Sequence, residues 1–267
     1  MLGTVGKASR VLDLFTTERP EWGVTETADA LGIPRSSAHD LLATLADTGL
    51  LRHAECNRYR LGWKLLTLSS TMLDTSDVRT HARPVMRQLV KKLGATTHLA
   101  ILDEGEVIYL DKLAPPDGMP VPISAVGKRL PPHCSAVGKV LLAHQSHGTV
   151  TNALDRCGMR QVTERTISSA DLLMFELDAV KRAGSARDHE GSVAGVYCHA
   201  APIFDTGRVI AAISISVDGS CEDRLGDRYD EIVRSAGVAI SNRLSTARTS
   251  HAGSDREYGT VRDAVAV

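Results

Sequence analysis

Apolar residues recur at helical spacing three times before Gly49. Val5, Ala8, Leu12 and Phe15 share one face of a helix predicted over Thr4 to Thr17, which Pro20 and Gly23 end. Ala28 and Leu31 are the inward residues of a short second helix, with Thr25 its predicted N-cap and Gly32 its stop. Pro34 stands just ahead of a third helix, where Ala38, Leu41, Leu42 and Leu45 fit i, i+3, i+4, i+7. Its first turns also carry Arg35, Ser36, Ser37, His39 and Asp40, and of these Arg35 alone has a long side chain. A face that only had to stay solvated would more often carry Lys and Glu. Two short extended runs follow, "LLRHA" and "RYRLG", joined near Glu55-Cys56-Asn57 and bearing Arg52, Arg58 and Arg60. Three helices and a small hairpin make a winged helix-turn-helix pattern. The small polar face then fits a major groove, with Arg35 and the wing arginines on phosphates. Removing Arg58 is expected to weaken binding to all sequences. The plain alternative is a solvated face on a small helical domain.

"WKLLTLSSTML", Trp63 to Leu73, reads as a helix whose apolar residues are too widely spread for one stripe. Burial on more than one side is needed, which suggests a linker helix in a dimer interface; packing on its own domain is the alternative. From Asp77 a helix to Leu93 carries Val78, Ala82, Val85, Leu89 and Leu93 on one side, with Pro84 expected to interrupt or restart it. Hairpin signals occur at Asp103-Glu104-Gly105 and Asp205-Thr206-Gly207. Helical segments lie at Ser135 to His144, Ala170 to Ala183 and Cys221 to Ser245. The fold class is therefore α+β, with a largely antiparallel sheet in the second part. The expected organisation is a DNA-binding domain over 1–62, a linker helix over 63–76, a larger domain over 77–245 and a flexible tail over 246–267.

Bulk properties narrow this picture. A formal net charge of -1 over 267 residues gives no global basic signal, so any nucleic-acid footprint must be local. In the first domain Asp13, Glu18, Glu21, Glu26 and Asp29 lie on or between the first two helices, while Arg35, Arg52, Arg58, Arg60 and Lys64 fall in the third helix and wing. Five cysteines without regular spacing suit reduced thiols in a cytoplasm better than a disulfide framework. No signal peptide is expected, and stretches such as "VIAAISISV" are too short to span a bilayer.

"HCSAVGKVLLA" has a Gly-Lys pair but lacks the first glycine of a phosphate loop and a Ser or Thr after Lys139. What remains is a helix start. Ser135 can cap it, and the Ala136 and Val137 N–H groups in its first turn favour an anion such as a carboxylate. A capped core helix is the alternative. In "ARDHEGSVAGVYCHAAP", Cys198 and His199 are adjacent, so on a strand they face opposite sides and cannot act together. No acid is spaced to orient His199. There is no Cys-x-x-Cys, and His133-Cys134 lacks partners at metal-site spacing. No catalytic residue, metal or cofactor is expected. "AISISVD" puts Ser214 and Ser216 on one face of a strand, either lining a polar pocket or as plain alternation.

Taken together, "ETADALGIPRSSAHDLLATLADTGLL", "YRLGWKLLTL", "VGKRLPPHCSAVGKVLLA" and "RDHEGSVAGVYCHAAPIFDTGRVIAAISISVDG" resemble the IclR family of bacterial transcription regulators, from about Val5 to Leu244. The resemblance implies a winged helix-turn-helix domain joined by a linker helix to a GAF-like effector-binding domain. It implies a homodimer or dimer of dimers (a homotetramer) on double-stranded operator DNA, answering to a small organic acid, aromatic acids included. The carboxylate would sit at the helix start of Ser135, Ala136 and Val137, against a polar wall of Asp188, Cys198, Ser214 and Ser216. Two positions depart from the family pattern. Asp40 follows the recognition-helix His where a basic residue is frequent, and Cys134 and Val137 stand where smaller residues are frequent. Two alternatives stay open: a thiol- or metal-responsive sensor using Cys56, Cys134 or Cys198, and a hydrolase using Cys198 or His133.

Overall fold

The first helical pattern closes sooner than its spacing predicts. Helix α1 (Gly3–Leu12) ends before Leu14, whose carbonyl accepts from the Trp22 indole at 2.8 Å, so Phe15 packs from a loop. Strand β1 (Trp22–Gly23) leads into α2 (Val24–Leu31). The Gly23 N–H donates to the Glu26 carboxylate at 2.9 Å, so Glu26 satisfies the helix start and Thr25 does not cap it. Gly32 ends the helix in the left-handed conformation, φ 64°. Helix α3 (Arg35–Asp47) buries Ala38, Leu42 and Leu45. Strands β2 (Leu51–His53) and β3 (Arg58–Leu61) pair antiparallel, and β1 adds to the other side of β3, a two-residue strand with no pattern of its own. Cys56 and Asn57, φ 53° and 56°, turn the wing, with Arg58 N–H donating to the Glu55 carbonyl in a type I′ geometry. Val11, Leu42, Leu45, Leu51 and Tyr59 form the core. Helix α4 (Trp63–Asp74) follows, and none of its residues is buried.

The chain divides into two units between Thr75 and Ser76. This computed structural model describes residues 3–118 and 120–262, and only the backbone at 122, 223, 224 and 250–262. The second unit opens with α5 (Asp77–Leu93), capped by Ser76. It runs through Pro84 unbroken: the helix forgoes one N–H there, while Ala82, Val85, Met86 and Leu89 bury its face. Strands β4 (Thr96–Asp103), β5 (Glu106–Leu113) and β6 (Arg129–Leu130) precede α6 (Ala136–Ala143), α7 (His147–Cys157) and α8 (Ala170–Ala183). Strands β7 (Ala186–His189), β8 (Val196–Asp205) and β9 (Arg208–Asp218) lead to α9 (Gly219–Arg262). Helix α9 passes Ser245 and the tail boundary expected at Thr246. Thr246 and Thr249 hydroxyls bond back one turn, and Arg248 pairs with Asp205 at 2.6 Å. Residues 263–267 of the expected tail lie outside the described residues.

The six strands form one antiparallel sheet in the order β6-β5-β4-β9-β8-β7. One face packs Leu99, Ile203, Ile213 and Ile215 with α5 and α9. The other is small, with Ala100, Ala186, Ala200 and Ala212 under α6, which packs in turn on α8. That small face lets α6 lie close to the sheet and sets the floor of the candidate site. Among the described residues no helix is long and apolar enough to cross a membrane.

Candidate functional site

The polar residues of α3 reach solvent. Arg35, Ser36, His39 and Asp40 are exposed and Ser37 is half-buried, while Ala38 and Leu42 beneath them have no exposed surface. Short side chains with exposed hydroxyl and imidazole groups thus stand on one helix face, the requirement for close approach to base edges. Asp40 keeps 81% of its side chain exposed, with the His39 Nδ1 at 3.3 Å. An acid there can accept from a cytosine amino group.

The wing arginines are less free than their clustering along the chain suggests. Arg58 donates to Glu26 Oε2 at 2.8 Å and to the Glu21 carbonyl at 2.9 Å. Arg60 pairs with the Glu21 carboxylate, and Arg19 with Glu26 at 3.1 Å. Glu21, just before β1, and Glu26, in the first turn of α2, meet the bases of the wing in space, though separated from them in sequence, and tie β3 to this segment. The Gly23 N–H, with Arg58 and Arg19 adding, holds the Glu26 carboxyl below its usual range. Arg52 lies over the Trp63 ring, 5.3 Å from its centroid, and its buried Nε has no hydrogen-bond partner.

In the second unit the expected effector residues converge. Register places Asp188 opposite Cys198 and Cys198 opposite Ser216, so three strands present them in one row on the α6 side of the sheet. Ser214 lies in the next row, opposite Ala200. All but the half-buried Cys198 are buried. Cys198 Sγ and Ser216 Oγ are 3.1 Å apart. Helix α6 packs on the three strands of this wall. Ser135 caps it, accepting from Gly138 N–H at 3.2 Å. Ala136 and Val137 are buried in its first turn, where a helix supplies no partner to N–H groups. No backbone bond outside the helices and strands reaches them among the described residues. A Cβ at Gly138 would lie 2.0 Å from the Pro132 carbonyl, so only glycine lets this start sit down on the Pro132 turn. Lys139 is engaged elsewhere: its Nζ donates to Glu176 at 3.1 Å and to the Arg187 carbonyl at 3.0 Å.

Asp188 is already engaged. Its Oδ1 accepts from Gly191 N–H and its Oδ2 from the Ser192 hydroxyl, both at 2.6 Å, so it closes its own turn. Burial still raises its carboxyl above the usual range, against those two bonds. Burial pushes the Cys134 thiol up to about 12 and also raises that of Cys198, so both remain thiols. A cleft of about 430 Å³ opens beside the wall, lined by Cys134, Asp188 and Gly191; it shares Asp188 with the wall but not Cys198 or the serines.

His199 faces the other side of the sheet from Cys198, as adjacency on a strand requires. Acids do orient it, contrary to the sequence reading: Asp230 Oδ1 is 2.7 Å from Nδ1 and Glu222 Oε2 is 2.6 Å from Nε2, both from α9. Pairing over more than twenty residues left no local signal. The sequence reading also missed four residues that complete the wall on β4 and β5: Thr96, His98, Tyr109 and Lys112. The alternation "THLA" carried that signal, since it repeats the period of Ser214 and Ser216.

Comparison with known proteins agrees for both units. Residues 4–55 match the family model described as "IclR helix-turn-helix domain", and residues 70–242 match "Bacterial transcriptional regulator IclR C-terminal". The chain is 33% identical over 249 residues to the HTH-type transcriptional regulator XynR of Escherichia coli (strain K12), covering 91% of this chain and 98% of that protein. To the Transcriptional repressor IclR of the same strain it is 30% identical over 233 residues, 85% of each. Among solved structures, an IclR homolog from Microbacterium hydrocarbonoxydans complexed with 4-hydroxybenzoate is similar at TM-score 0.77 and 27% identity, over 91% of this chain and 100% of that one.

Proposed function

The chain belongs to the IclR family of bacterial transcription regulators, and on that footing we propose that it reads operator DNA through α3 and is controlled by a small organic carboxylate held at the start of α6. One observation carries the effector reading. Helix α6 packs on β7, β8 and β9, the N–H groups of its buried first turn have no backbone partner outside the helix among the described residues, and Asp188, Cys198, Ser214 and Ser216 form a polar row on the same side of those strands. A carboxylate is the ligand that such donors favour. The relative bound to 4-hydroxybenzoate supports the same ligand class. On the DNA side, Ser36, Ser37, His39 and Asp40 contact base edges and Arg35 and Arg52 the backbone, while Arg58 and Arg60 hold the wing in place. The protein acts in the cytoplasm as a repressor of a catabolic operon, without enzymatic activity, as a homodimer or dimer of dimers. The exposed apolar side chains of α4 support that assembly. Burial that keeps Cys134 and Cys198 as thiols argues against thiol sensing at those two positions, while Cys56 is exposed on the wing, in the other unit from the candidate effector residues.

Substituting Ser214→Leu tests the site. The larger side chain fills the row beneath α6. It should abolish the response to a carboxylate that shifts wild-type operator affinity, a coupling of about 1–3 kcal/mol, and leave operator binding itself within about twofold. A variant that still responds fully would place the effector elsewhere.

A further inference from the structure

The polar wall continues past the serines. Thr96 stands opposite Ser216 and His98 opposite Ser214 in the β4–β9 register, so both leave the sheet on the serines' face. Tyr109, on β5, joins the same side of the core, its ring 5.4 Å from that of His98. Thr96 is 2% exposed, and its hydroxyl is a buried atom with no hydrogen-bond partner. A buried hydroxyl left so calls for a partner, and a hydroxyl group of a bound ligand is one that could supply it.

His98 presents a defined tautomer. Its Nε2 lies 2.8 Å from the Ser124 hydroxyl, which itself donates to the Val121 carbonyl at 2.9 Å. The single proton of that hydroxyl is spent on the carbonyl, so His98 Nε2 is the donor and Nδ1 is left as an acceptor. Burial, with Lys112 adding, pushes the His98 pKa down to about 3, so the ring is neutral. Lys112 is tied to the same Val121 carbonyl at 2.6 Å. Burial likewise keeps Tyr109 a neutral phenol. This side of the site therefore offers neutral groups that both donate and accept. A second carboxylate would meet no uncommitted cation among the described residues of this side, where Lys112 is held by the Val121 carbonyl. A bare hydrocarbon tail would seal the Thr96 hydroxyl away unmet. A hydroxyl matches both.

We propose that Thr96 and His98 are specificity-determining residues, and that the effector is a hydroxylated organic acid whose hydroxyl group meets them while its carboxylate meets the α6 start. The proposal rests on the effector site described above. Its test is titration calorimetry of the full chain with acids paired by hydroxylation: gluconate against hexanoate, 3-hydroxybutyrate against butyrate, and 4-hydroxybenzoate against benzoate. The expected result is a hydroxylated acid that binds at least tenfold tighter than its partner. Thr96→Val should erase most of that preference while leaving the unhydroxylated acid unchanged. It should also leave the melting temperature of the unliganded protein unchanged or raise it, because the hydroxyl it removes is unmet. Equal affinity within every pair, an undiminished preference in Thr96→Val, or a clear drop in its unliganded melting temperature overturns the proposal. If no acid of either kind binds, the effector reading falls, and the proposal with it. If acids bind without preference, the effector reading stands and the proposal alone falls.

Discussion

Arg58 lies on the wing, where the clustering of arginines put it, yet its guanidinium meets carboxylates. Glu21 and Glu26 sit more than thirty residues earlier, and spacing along the chain says nothing of such a meeting. With three strong contacts inside its own unit, Arg58 serves the fold first. Arg58→Ala should cost about 1 kcal/mol of stability, because it takes one of two cationic partners from each of Glu21 and Glu26 at a partly exposed site. In salt titrations of DNA affinity it should change the slope by less than Arg35→Ala, which should remove about one phosphate contact. A full unit of slope lost in Arg58→Ala, with the melting temperature unchanged, would return it to the backbone. Asp188 was legible as a polar residue near the site. Its engagement by Gly191 and Ser192 was not, since a tight turn is fixed by backbone geometry. Its folded-state pKa lies above the ordinary 3.8 because burial disfavours the charge. Over that window the native state binds more protons than the unfolded one, so stability falls as pH rises through it. Relative to Asp188→Asn, the wild type should lose stability as denaturant melts move from about pH 4 to pH 7. Parallel pH profiles for the two would contradict the assignment.

At the scale of elements, the amphipathic helices of the first unit were readable because each buries one stripe, and α3 follows its pattern to within a residue. Elements without a stripe were not. Strand β1 has two residues, and α7 buries only Val150 and Ala153. The continuity of α5 through Pro84 reflects packing overriding propensity. Register was the largest gap. The row from Asp188 through Cys198 and Ser216 to Thr96 joins strands more than a hundred residues apart, which no local pattern encodes. Helix α4 is the reverse case: its sequence announced apolar faces, and the structure leaves Trp63, Leu66, Leu68 and Met72 each more than half exposed. A twelve-residue helix with nothing buried is marginal alone. Leu68 and Met72 lie one turn apart on one face. The full chain should be dimeric by light scattering at micromolar concentration, and Leu68→Glu with Met72→Glu should shift it to monomers and weaken operator binding. A wild-type monomer at that concentration would remove α4 as an interface.

The whole molecule joins a helix-turn-helix unit to an IclR C-terminal unit, and under the proposed function regulation requires that operator and effector each bias the other's binding by linkage. That reciprocity has meaning only if the first unit recognises sequence, which makes the α3 face the central claim. The most direct test is selection from a randomised duplex pool by the full chain, beside a His39→Ala variant of unchanged melting temperature. The account predicts an enriched inverted repeat with half-sites about one helical turn apart for the wild type, and loss or change of preferred bases within each half-site for the variant. No enriched sequence, or the same sequence enriched equally by both proteins, would contradict it.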